Sequence, residues 1–103
     1  MKLGVAIKDA RQRAGLKQSE LAARTGLTQS YLSQIESDSK EPHLSKLRRI
    51  ADELELPMPV LLLFSMEPGD VRPEQQEAYE RLYPRFRKMM EQEFAAADGD
   101  EST

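Results

Sequence analysis

Along the first two thirds of the chain apolar residues recur at helical spacing, and glycines and prolines cut the pattern into short segments. Leu3, Ile7, Ala10 and Ala14 mark one stripe of a helix over about 3–14, which Gly15 can end by supplying a left-handed backbone. A second helix over 18–25 carries Leu21 and Ala22 inward and stops before Gly26. Thr28 then stands as an N-cap ahead of a third helix over 29–37, in which Leu32 and Ile35 face in, and Leu27 can pack back as a staple. A turn-rich loop over 37–43 closes at Pro42, and Leu44, Leu47, Ile50, Ala51 and Leu54 give a fourth amphipathic helix.

Pro57 and Pro59 precede the apolar run Val60 to Phe64, which reads as a brief, largely buried fifth helix. The run alone also permits a strand, but nothing else in the chain offers a partner strand. Residues 67–72, with Pro68 and Gly69, read as a linker. Beyond Pro73, the residues Tyr79, Leu82, Tyr83, Phe86, Met89 and Met90 fall on one helical face. Pro84 interrupts that stretch, so the C-terminal segment 73–97 is expected as a kinked helix or as two short helices meeting near residue 83. Residues 98–103 are polar and acidic and are expected to be disordered. The fold class is therefore all-α, with one core, because 103 residues do not bury two cores of ordinary size.

Charge alters this picture mainly through its distribution. The net formal charge is −3, which taken alone disfavours a nucleic-acid partner. Residues 1–50, however, hold ten basic side chains against five acidic, and residues 51–103 hold five basic against thirteen acidic. The front half suits a polyanion and the back half would be repelled by one. There is no cysteine, which excludes disulfides and thiolate metal sites, and a lone histidine (His43) does not make a metal centre. No secretion signal or bilayer-length apolar run appears, so the chain reads as soluble and cytoplasmic, without a membrane partner. No Gly-rich phosphate loop and no recognisable nucleophile, histidine and acid set is present, so neither an enzyme nor a cofactor is expected.

The chemistry concentrates in Gln18 to Glu36, two short helices joined by a tight turn at Gly26. A small residue at Ala22 lets the helix axes cross closely, and Leu21, Leu32 and Ile35 fix their angle. Gln29, Ser30, Ser33 and Gln34 are left outward, with amide and hydroxyl groups able to read base edges without carrying negative charge into a groove.

The segment from Leu3 to Phe64 resembles the Cro and phage-repressor type of helix-turn-helix domain, the xenobiotic-response-element regulators. The likeness rests on Gly15-Leu16, Gln18, Leu21-Ala22, Gly26, Thr28, the run from Tyr31 to Glu36, Pro42, Leu44, Leu47 and the apolar fifth helix. It implies a five-helix, lambda-repressor-like DNA-binding domain over residues 1–66, followed by a helical extension. The candidate DNA-facing set is Gln18, Thr28, Gln29, Ser30, Tyr31, Ser33, Gln34, Ser39, Lys40 and His43. By resemblance Gln18 holds a phosphate, Gln29, Ser30, Ser33 and Gln34 face bases or backbone, and the loop residues Ser39, Lys40 and His43 touch the backbone. Tyr31 either lies over the DNA backbone or packs beside its helix. His43 reads more readily as a loop or cap residue than as a phosphate contact.

The resemblance also implies a structural pair, Arg11 with Glu36, holding the first helix to the recognition unit. Two positions depart from the family pattern: Lys17 stands where a Ser or Thr N-cap is usual, and Asp38 replaces the usual loop glycine. The implied function is a sequence-specific transcriptional regulator, a repressor acting as a homodimer on duplex DNA. The C-terminal face of Tyr79, Leu82, Tyr83, Phe86, Met89 and Met90 would form the dimer interface, or dock on the chain's own domain. The alternative is an antitoxin-like protein that grips a protein partner through that face and represses its own operon.

Overall fold

The computed structural model describes residues 1–94, and within them the chain is entirely helical. Five helices come first: α1 (Leu3–Arg13), α2 (Gln18–Thr25), α3 (Gln29–Glu36), α4 (Leu44–Glu53) and α5 (Met58–Phe64). Two single 3-10 turns, Pro68–Asp70 and Pro73–Gln75, lead into a long α6 (Gln76–Phe94). The expectation for residues 98–103 lies outside the described residues, as does the end of the C-terminal segment at 95–97.

One core serves the first five helices. Ile7, Leu21, Leu32, Ile35, Ile50 and Leu61 are fully buried together, and burying a side chain of this size contributes about 1.5–3 kcal/mol. Gly15 and Gly26 both take positive φ, 75° and 73°, as the ends of α1 and α2 require. The fifth helix begins earlier than the apolar run suggests: Met58 and Pro59 form its first turn, where a missing backbone N–H costs nothing.

The C-terminal extension is a single helix that runs through Pro84, not two. Pro84 and Glu80, whose carbonyl loses its helical donor, are both exposed, so water can serve that carbonyl. The helix is tied to the end of α5. The Tyr83 hydroxyl donates to the Leu63 carbonyl at 2.7 Å and the Arg87 guanidinium to the Phe64 carbonyl at 2.8 Å. These carbonyls belong to the last turn of α5, beyond the reach of the helix's own ladder; that of Leu63 also accepts from the Met66 N–H at 3.1 Å. Arg87 also lies 5.0 Å over the Phe64 ring and bonds Glu91 at 3.1 Å. Burial opposes its charge, but the Tyr83 hydroxyl and Glu91 carboxylate outweigh that and hold its pKa above the ordinary arginine value.

The apolar face expected on this helix is thereby divided. Met90 packs on the core, and Tyr83 turns inward and stacks on Tyr79 with ring centroids 4.9 Å apart. Leu82, Phe86 and Met89 point out, each about half exposed at 47%, 51% and 51%. The physical reason is angular: at about 100° per residue these three sit roughly a quarter turn from Tyr83, Arg87 and Met90.

Candidate nucleic-acid interface

Helices α2 and α3 form the expected helix-turn-helix. The reversal is made at Gly26, after which the Leu27 N–H returns to the Ala22 carbonyl at 3.0 Å. Thr28 caps α3, its hydroxyl accepting from the Tyr31 N–H at 3.1 Å. Helix α2 begins without an N-cap side chain at Lys17, whose ammonium has no lone pair to offer. Glu20 supplies the start instead, accepting from the Lys17 N–H at 2.7 Å. Half of a capping box thus remains in the sequence, three residues beyond the missing cap.

Beneath this unit lies a chain of charged and amide groups. Arg11 donates to both carboxylate oxygens of Glu36, at 2.7 and 3.0 Å, and to the Leu16 carbonyl at 2.9 Å. Both residues are buried, 8% and 7% exposed. The Gln18 amide nitrogen donates to the same carboxylate at 3.1 Å. A carboxylate only accepts, so it dictates which end of the Gln18 amide faces in. The Gln18 oxygen, turned outward, accepts from the Gln29 amide nitrogen at 3.4 Å. Orientation is handed from a buried ion pair on α1 and α3 to an exposed amide at the start of α3.

Gln29, Ser30, Ser33 and Gln34 are all exposed on the outer side of α3. Helix α6 packs on α5 and the turn before it, and it leaves this side uncovered. Tyr31 is half-buried, with Lys46 of α4 4.7 Å and Lys40 of the loop 5.9 Å from its ring centroid. The Gln34 carbonyl, at the end of α3, accepts from the Ser39 and Lys40 N–H groups and from the Ser37 and Ser39 hydroxyls. Ser39 therefore uses its hydroxyl within the loop. His43 is the N-cap position of α4, exposed and without a side-chain cap bond.

The loop conformation left open by the sequence is set by Asp38. It takes the left-handed conformation at φ 62°, and its carboxylate accepts from the Gly4 N–H at 2.9 Å. That N–H is one of the donors left free at the start of α1. Gly4, Glu20 and Lys46 were not legible as contributors: Gly4 lacks an apolar signal, Glu20 signals only if the cap is sought three residues on, and Lys46 meets Tyr31 only through packing.

Among the described residues no cluster of His, Asp or Glu could hold a metal ion, and no helix is long and apolar enough to cross a membrane. The arrangement is that of a helix-turn-helix module, with the polar outer side of α3 presented by a five-helix core. Residues 7–61 match the helix-turn-helix family, and the chain belongs to this family, of the xenobiotic-response-element type, whose members are DNA-binding regulators. It is 39% identical over 66 residues, 64% of this chain and 73% of the relative, to the ImmF control region 10 kDa protein of Bacillus phage phi105. Over 50 residues, 48% of this chain, it is 46% identical to the uncharacterized HTH-type transcriptional regulator y4dL of Sinorhizobium fredii. The match spans only 26% of that second relative.

Proposed function

We propose that this protein is a sequence-specific repressor that binds a pseudo-palindromic operator as a homodimer, each α3 in a major groove. Half-sites would lie about one turn, ~10 base pairs, apart or a multiple of that. The observation that carries the reading is the free outer side of α3: Gln29, Ser30, Ser33 and Gln34 stand clear of α6 on a base fixed by a buried ion pair. A relative named as a phage control-region protein supports a regulatory role. Residues 1–66 serve as the DNA-binding unit, 67–72 join it to the segment 73–97, and that segment holds two copies together.

The dimer contact in this reading is the outward side of α6, where exposed Met89 continues the side on which Leu82 and Phe86 border an apolar groove lined also by Leu63, Met66 and Val71. Ridge and groove lie side by side, which suits an isologous contact. The same exposed face favours one second reading, an antitoxin-like protein that holds a different protein there.

Selection of duplexes from a random-sequence pool by the purified chain tests the proposal. A two-fold symmetric consensus is expected; enrichment of no sequence would overturn specific recognition. Sedimentation of the free chain separates the two readings. A dimer that Phe86→Glu converts to a monomer supports the first, and a monomer at all concentrations supports the second.

A further inference from the structure

We infer that Lys46, held across the ring of Tyr31 together with Lys40, is a DNA-backbone anchor that grips a phosphate beside the groove α3 enters. The inference rests on the DNA-binding reading above and extends it to a residue outside the helix-turn-helix itself.

Lys46 lies in the first turn of α4, where a positive side chain is repelled by the helix dipole, and no acidic residue occupies that turn to offset it. Its ammonium is nonetheless positioned, 4.7 Å from the Tyr31 centroid, and its stem is half-buried. Lys40 approaches the same ring at 5.9 Å. Two like charges gathered on one aromatic ring repel each other, and among the described residues neither forms an ion pair with a carboxylate. The ring quadrupole attracts each of them but leaves their donors free. An anion meeting the Lys46 ammonium beside the ring would offset the repulsion and accept its free donors. Tyr31 stands on α3 between the exposed Ser30 and Gln34, so the anion that reaches this place when α3 enters a groove is a phosphate of the duplex. Arginine at position 46 would stack similarly, but an uncharged residue would not.

In this arrangement Tyr31 is a positioning residue and Lys46 the contact. The ring matters and its hydroxyl does not. Loss of one phosphate contact lowers the dependence of log K on log salt by about 0.9 and weakens binding to all sequences alike.

The test is fluorescence anisotropy at several salt concentrations, on a random-sequence duplex and on one selected by the wild-type chain. Lys46→Gln is expected to lower the salt slope by about 1 and to reduce affinity by the same factor on both duplexes. Tyr31→Phe should keep the wild-type slope, and Tyr31→Leu should lose as much as Lys46→Gln. A wild-type slope in Lys46→Gln overturns the inference, as does a wild-type slope in Tyr31→Leu. Absence of salt-dependent duplex binding by the wild-type chain is a different result, because it removes the DNA-binding reading itself.

Discussion

Gly4 lies against the backbone of Ile35 so closely that a Cβ built on it would stand 2.2 Å from the Ile35 carbonyl oxygen and 2.7 Å from that of Glu36. Both neighbours are main chain and cannot swing aside. Glycine at this position is what lets the start of α1 touch the end of α3, and so sets the base on which the recognition helix rests. Gly4→Ala is expected to cost about 2–3 kcal/mol, the scale of overpacking at a site that cannot relax. Urea unfolding measures it; a wild-type midpoint would mean that α1 withdraws freely.

Asp38 holds the other side of that junction, and its two roles can be separated. Asp38→Ala keeps the left-handed strain and drops the bond to the Gly4 N–H, so a loss of about 1–2 kcal/mol is expected. Asp38→Gly drops the bond but removes the strain, and should stay within about 1 kcal/mol of wild type. Thermal unfolding of the pair checks the ordering, and an Ala variant as stable as the Gly variant would show that the backbone strain is negligible.

The Arg11 and Glu36 side chains are 10% and 4% exposed, so neither can find water if its partner is removed. Arg11→Ala strands a buried carboxylate and is expected to cost about 3–5 kcal/mol, well above the scale of a surface pair. Denaturant titration reads the loss. A change below about 1 kcal/mol would place the pair with surface salt bridges and remove its claim to anchor Gln18.

In the proposed reading Gln29 carries the sequence choice. Gln29→Ala should weaken binding to a selected duplex by about 1–3 kcal/mol while leaving random-sequence affinity nearly unchanged. Competition binding on the two duplexes distinguishes this from a phosphate contact, for which both affinities would fall together.

Docking of α6 depends on donors that reach the end of α5. Tyr83→Phe leaves the Leu63 carbonyl without its 2.7 Å bond and is expected to cost about 1 kcal/mol. Faster amide exchange over 76–94, with α1 to α4 unchanged, is the expected signature. Exchange slowed or unaltered in that stretch would show that the stacking of Tyr79 and the contacts of Arg87 hold α6 without the hydroxyl.

Periodicity, glycines and the cap at Thr28 were enough to read the five front helices and the outward amides of α3, because those features act within one or two turns of chain. The pair of Arg11 with Glu36 came from the family likeness and is present in the fold. What remained hidden was whatever depends on two distant segments meeting. The stripe on α6 reads as one face, but Tyr83, Arg87 and Met90 turn inward while Leu82, Phe86 and Met89 do not, since the position of α5 selects the side that docks.

The sequence by itself determined that the chain is helical, where its first four helices begin and end to within a residue, and which polar residues α3 turns outward, all of them consequences of local backbone preference and spacing. Tertiary structure alone decided that Gly4 must be small, that Asp38 reaches back to α1, that Lys46 and Lys40 share the ring of Tyr31, and that α6 leaves α3 uncovered. These are contacts between groups far apart in sequence, and their distances follow from how helices pack rather than from the residues on either side.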